Sequence, residues 1–212
     1  MGKYVIDKEN LEGLNEWTCA LYTLMHSLKT SRDRNFEPRD KLNDSGIEAT
    51  KWIEEKNKFN SITHREVTTS KRKMKFRRDP AKNFEKTISR VSKMLIQDLV
   101  VLFDEILNDL MIEKGINVQR FPQSKVEALK KYIDSEYEWS VKGCMELIAL
   151  RNAITHSKGK WNEKCLRILK DNDIINETEA TKLKGKKVIV NIPMVFEYKK
   201  SIRTFMNQVM DD

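Results

Sequence analysis

The chain has 212 residues, enough for one domain, or one domain with an additional segment, and enough to bury a hydrophobic core. Only 7 glycines and 4 prolines are present, which favours long helices over many short strands and turns. The formal net charge of +8 favours a polyanionic partner, although an ordinary basic protein would have the same charge.

Several kinds of site and location are not expected. The three cysteines, Cys19, Cys144 and Cys165, have no Cys-x-x-Cys or Cys/His ligand spacing, so we expect no disulfide framework, metal or cofactor. No apolar leader segment follows Met1, and polar side chains interrupt the most apolar run, residues 94–111. The sequence therefore predicts a cytoplasmic protein that does not span a membrane.

Residues 1–78 predict N-terminal helices and a basic connector. Apolar residues at helical spacing predict a helix over about residues 9–29, and a second helix begins near Ser45. Six cations then occur within residues 71–78, a run that stays exposed until it meets a polyanion. This run is either a solvated connector or an RNA contact, with candidate RNA-binding residues Arg72, Lys73, Lys75, Arg77 and Arg78.

Residues 79–212 predict a second helical unit. Asp79 and Pro80 begin a long helix that ends at Gly115. Phe121 and Pro122 open the next helix, which reaches about Ile133.

Two helices follow, over about residues 139–157 and 161–169. β-branched residues at 187–192 predict a short strand, and Pro193 opens the last helix. The predicted fold is all-α, an up-and-down helical bundle with a short β excursion near the C-terminus.

The candidate catalytic motif is Arg151-Asn152-Ala153-Ile154-Thr155-His156, which lies on an otherwise apolar helix. A guanidinium group can bind a phosphate through two hydrogen bonds, and an imidazole can transfer a proton near neutral pH. The Asn152 amide could orient either partner. The simpler alternative is that Arg151 and His156 only interact with the last carbonyls and the dipole of their helix.

Leu150 to His156 resembles the signature of HEPN domains, which is an Arg, a polar residue that is often Asn, and a His four to six positions after the Arg. Glu-Leu-x-x-Leu before the Arg, and Gly159 and Trp161 after the His, also fit the family. The resemblance covers about residues 80–170. HEPN domains are all-helical, and many are metal-independent ribonucleases that act as dimers, often as toxins or antiviral effectors.

The resemblance implies a toxin or phage-defence endoribonuclease in which the 2′-OH of the RNA attacks the phosphate, with an antitoxin or other regulatory protein as a further partner. Arg151 would stabilise the pentavalent phosphate, His156 would act as general base or acid, and Asn152 would position either group. Lys158 and Lys160 are placed to contact the RNA backbone. A Tyr that is modified in some HEPN toxins corresponds to Lys158, so that form of control is not expected. A non-catalytic RNA- or nucleotide-binding module and a structural helical protein remain alternatives.

The spacing of the motif bears on assembly. Arg151 and His156 point about 140° apart on a helix, so one helix is not expected to direct both at one phosphate. Asn152 and His156 share a face with Met145 and Ala149. That face meets either a second copy across a two-fold axis, giving a composite site, or another helix of the same chain. The HEPN resemblance favours the homodimer.

Overall fold

The computed structural model describes residues 8–33 and 80–211. They form seven α-helices: α1 (Lys8–Asp33), α2 (Pro80–Glu113), α3 (Pro122–Leu129), α4 (Glu138–His156), α5 (Glu163–Asp171), α6 (Glu177–Leu183) and α7 (Ile192–Asp211). The predicted all-α class is confirmed for these residues. The helix predicted near Ser45 and the basic run at residues 71–78 lie outside them.

Proline and glycine residues set several helix boundaries. α2 begins at Pro80, as predicted, and ends two residues before Gly115. Gly115 has a φ of +65°, a conformation that costs glycine least, and the Ile116 N–H beyond it donates to the Met111 carbonyl at 2.8 Å. Pro122 occupies the first turn of α3, where its missing N–H has no intrahelical partner to lose.

The strand predicted at residues 187–192 is replaced by one antiparallel β-bridge between Lys160 and Lys187. The burial of these side chains does alternate as in a strand, since Val188 and Val190 are buried and Ile189 is exposed. A ladder also needs a second extended segment. Here the partner is the short connection between α4 and α5, which limits the pairing to one bridge.

Helix α6 was not predicted from the sequence. Asn176 accepts a hydrogen bond from the Glu179 backbone N–H at 2.9 Å, and the Glu179 side chain accepts one from the Asn176 N–H at 3.0 Å. This reciprocal pair is a capping box, a local signal that is present in the sequence.

The described residues belong to two compact units, residues 8–19 with 86–211, and residues 20–33 with 80–85. In the first unit, α4 packs against α3, α5 and α7. Gly143 allows the close approach of α7, because a Cβ atom there would clash with the side chain of Ser201. The predicted boundary after residue 78 lies outside the described residues and stays a prediction.

α1 is tied to α2 within the first unit by a hydrogen bond from Trp17 Nε1 to Asp98 Oδ2 at 3.0 Å. Phe103 of α2 and Phe205 of α7 meet edge to face, with ring centroids 6.1 Å apart, in the buried core. None of the helices formed by the described residues is long and apolar enough to cross a bilayer.

Candidate functional site

The three candidate catalytic residues lie in the last two turns of α4. Leu147 and Leu150 are buried in the core, whereas Arg151 and Asn152 are half-buried. α4 ends at His156, where the chain reverses through Gly159, whose φ is +71° and whose N–H donates to the Ala153 carbonyl at 3.1 Å. His156 therefore lies at the C-terminus of α4 with an exposed side chain.

The side chains of the motif converge. Arg151 Nη1 lies 3.2 Å from His156 Nε2 and 3.3 Å from Asn152 Oδ1. The prediction that Arg151 and His156 diverge is therefore wrong. The 140° angle of the sequence analysis describes the Cα–Cβ directions, and the axial separation is only about 7.5 Å, which a long arginine side chain can span.

The chemistry of the two groups sets the direction of the contact between Arg151 and His156. A guanidinium group has N–H donors and no acceptor, so in a hydrogen bond between them Arg151 donates and His156 Nε2 accepts. Nε2 is then the atom through which the imidazole would act as a general base.

The interface predicted on the Met145 and Ala149 face is wrong, because both side chains are completely buried within the chain. The other explanation, packing inside one chain, holds for this part of the face. Only Asn152 and His156 remain accessible. An Ala149→Arg substitution would therefore bury a charge in the core, and would not test dimerisation.

Arg151, Asn152 and His156 open onto one cleft of about 570 Å³, lined by residues of α2, α3, α4 and α5. Its apolar walls include Val100 and Val101 of α2, Ile148 of α4 and Ile168 of α5. Apolar walls with a few converging polar groups are typical of ligand sites.

The α2 side of the cleft carries two carboxylates, Asp104 and Glu105. The Asp104 carboxylate forms an ion pair with Lys125 Nζ at 2.5 Å, and the Lys125 side chain is only 3% exposed. The buried ammonium group of Lys125 therefore neutralises the Asp104 carboxylate, whereas Glu105 is exposed.

Two of the predicted RNA-binding residues, Lys158 and Lys160, belong to the described part of the chain. Lys158 and Lys160 are exposed on the turn after α4, and neither lines the cleft. The basic residues at 71–78 lie outside the described residues.

Residues that the sequence analysis did not select also line the cleft, namely Phe121, Gln123, Asn162 and Lys164. Asn162 had a local signal, because it caps α5 by accepting a hydrogen bond from the Cys165 N–H at 2.9 Å. Nothing in the sequence near Lys164 or Phe121 marks them as neighbours of His156.

Among residues 8–33 and 80–211, no three His, Cys, Asp or Glu side chains are grouped so that they could hold a metal ion. No protein-family model, curated protein or solved structure matches the chain.

Proposed function

We propose that this protein is a metal-independent endoribonuclease of the HEPN type. The observation that carries the proposal is the contact of 3.2 Å between Arg151 and His156, beside Asn152, in a cleft. A cation for a phosphate, an imidazole and an orienting amide are thus within reach of one bound group. The all-α fold is compatible with a HEPN-like bundle, and the order of residues in the motif supports it.

The reaction follows from these groups. His156 Nε2 removes the proton from the 2′-OH, and the 2′ oxygen forms a bond to phosphorus as the bond to the 5′ oxygen breaks. Arg151 moves from His156 to the phosphate and stabilises the pentavalent transition state. The products are a 2′,3′-cyclic phosphate and a 5′-hydroxyl, whose oxygen takes a proton from a general acid. DNA, which has no 2′-OH, would bind without being cut.

The general acid can come from the second copy in a homodimer, whose own motif supplies another imidazole. A surface that supports this assembly lies on α2, where Met94, Val101 and Ile112 are each more than half exposed. Their spacing places them within about 20° of one another around the helix axis. Val101 also lines the cleft, so an isologous contact along this stripe would bring two motifs near each other.

An uncontrolled ribonuclease damages its own cell, so the proposal includes a regulatory protein, in the manner of a toxin or phage-defence effector and its antitoxin. The net charge of +8 makes an acidic inhibitor a suitable competitor for the RNA.

The catalytic proposal is tested by incubating the purified protein with total RNA in EDTA. His156→Ala and Arg151→Ala should each abolish cleavage with little change in stability, because neither side chain lies in the packed core. His26→Ala, at an exposed histidine of α1, is the matched control and should cut like the wild type. Cleavage by either motif variant would contradict the assignment, and RNA binding without cleavage by the wild type would indicate a binding module.

Assembly is tested separately by sedimentation. The wild type should have twice the chain mass of 25.0 kDa, and Met94→Glu with Ile112→Glu should convert it to the monomer. Ile189→Glu introduces the same charge at another exposed apolar residue and should leave the dimer intact. A wild-type monomer that cuts RNA would refute the dimer and leave the role of His156 standing.

A further inference from the structure

We propose that the cleft binds a single RNA strand in one orientation, with its phosphates along α4 and α5 and one base stacked on Phe121. This inference rests on the proposed ribonuclease function. It adds a phosphate subsite at Lys164 and Arg167 and a base subsite at Phe121.

The groove is longer than the cleft around His156. A second depression of about 440 Å³ adjoins it and is lined by Gln123, Asn152, Lys164, Arg167, Ile168 and Asp171. Four of these residues, Gln123, Asn152, Lys164 and Ile168, also line the cleft. The two depressions therefore form one groove that runs from Arg151 and His156 past Asn152 to Arg167.

Charge is distributed unequally across this groove. The α4 and α5 side carries Arg151, Lys164 and Arg167, whereas the α2 side carries the exposed Glu105 next to Asp104, whose charge Lys125 offsets. Phosphates are attracted to the first side and repelled from the second, so the backbone of a bound strand belongs along α4 and α5.

The cationic side has a defined end. Asp171 lies one turn after Arg167 on α5 and lines the far end of the second depression. The groove therefore offers cations to a short stretch of backbone, the scissile phosphate at Arg151 and its neighbour at Lys164 and Arg167.

The wall of the cleft at the start of α3 offers a surface for a base. Phe121 is 59% exposed although its ring belongs to the wall of the cleft. Its backbone is extended, with φ −114° and ψ 139°, and Pro122 then starts α3, so the ring is carried at a fixed helix end. The Arg120 guanidinium lies 5.3 Å from the ring centroid, which leaves the other face of the ring for a base.

A single-stranded nucleic acid suits this combination better than a peptide does. Cations along α4 and α5 and an exposed aromatic ring at the start of α3 reproduce the two elements by which proteins hold single strands. An acidic peptide would use Lys164 and Arg167, but it has no need for a stacking platform.

The base subsite is tested by fluorescence anisotropy with a 2′-O-methyl oligonucleotide of mixed sequence, which cannot be cleaved, and with the same oligonucleotide lacking its bases. Phe121→Ala should weaken binding of the first by about 5-fold or more and leave the second almost unchanged. Phe121→Tyr should restore binding. An equal loss on both probes, or no loss on either, would overturn the base subsite.

The phosphate subsite is tested by the salt dependence of the same binding. Lys164→Ala with Arg167→Ala should reduce the slope of log K against log salt by about 1.4, or about 0.7 for each contact. The control pair, Lys182→Ala with Arg203→Ala, removes two exposed cations outside the groove and should leave the slope unchanged. An unchanged slope in the groove variant would overturn the proposed orientation.

These binding measurements separate the two proposals. Loss of cleavage in His156→Ala together with unaffected binding in the Phe121 and Lys164 variants would refute the subsites alone. If the Phe121 and Lys164 variants bind as predicted but His156→Ala still cleaves RNA, only the catalytic role of His156 would be refuted. Failure of the wild type to bind any oligonucleotide would refute the subsites and point to a protein ligand for the groove.

Discussion

Removing the charge of Asp104 and removing the charge of Lys125 should lower the free energy of unfolding by very different amounts. Lys125 Nζ lies 2.5 Å from Asp104 Oδ1, and the side chains are 3% and 36% exposed respectively. Asp104→Asn leaves a buried ammonium group without its counter-ion. Lys125→Met removes the buried charge and leaves a carboxylate that water can reach.

The exposed fractions of the two side chains set the expected losses in the free energy of unfolding. Breaking a buried pair by removing one partner costs about 3–5 kcal/mol, and the water access at Asp104 places Asp104→Asn near the lower value. Lys125→Met should cost about 1 kcal/mol, since an apolar side chain of similar length fills the space. The double variant should then be close to Lys125→Met alone, with a coupling free energy of about 2–3 kcal/mol between the two positions.

The assay is urea unfolding followed by circular dichroism, with the free energy of unfolding obtained by linear extrapolation for all four proteins. Equal small losses in both single variants, or a double variant in which the losses add, would refute the buried-charge reasoning. Oligonucleotide binding gives a second readout, because Lys125→Met leaves Asp104 unneutralised in the cleft and should weaken binding. Adding Asp104→Asn should restore it.

Other predictions concern packing, pH and helix ends. Gly143→Ala should lower the free energy of unfolding by about 1–3 kcal/mol, because the new methyl group meets Ser201 on the adjacent helix; wild-type stability in a thermal melt would contradict this packing. Burial raises the pKa of Glu146 and a hydrogen bond from Tyr198 lowers it in part, so the folded state binds this proton more tightly than the unfolded state does. The stability that Glu146 contributes is complete below its ordinary pKa and is lost as the pH rises through the raised value. Glu146→Gln should therefore unfold at a higher temperature than the wild type at pH 7, with the difference disappearing near about pH 4; a difference independent of pH would contradict the shift. Gly115→Ala should cost about 1 kcal/mol in urea unfolding because of the positive φ, and Gly115→Asn should cost less.

The candidate site shows where reasoning from sequence stops. The motif predicted Arg151, Asn152 and His156 as site residues, and all three line one cleft. Lys164 and Phe121 were not predicted, because their proximity to the motif depends on how separate helices pack. The burial of Met145 and Ala149, which removed the first dimer model, depends on the same packing.

The sequence by itself determined the helices whose signals are local. Pro80, Gly115 and Gly159 mark boundaries because proline and glycine restrict or permit particular backbone angles wherever they occur. The capping box at Asn176 and Glu179 was equally local, so α6 could have been predicted.

Three features depend on the tertiary structure: whether residues 187–192 form a strand, whether Arg151 contacts His156, and which charges in the cleft are neutralised. Residues 187–192 alternate like a strand, yet a strand exists only where a second extended segment supplies hydrogen bonds. The Arg151 side chain reaches His156 through rotamers that sequence spacing does not specify. The charge of Asp104 is neutralised by Lys125, 21 positions away, because folding buries the lysine against it. Each of these features depends on which groups, distant in the sequence, come into contact, and packing between helices determines those contacts.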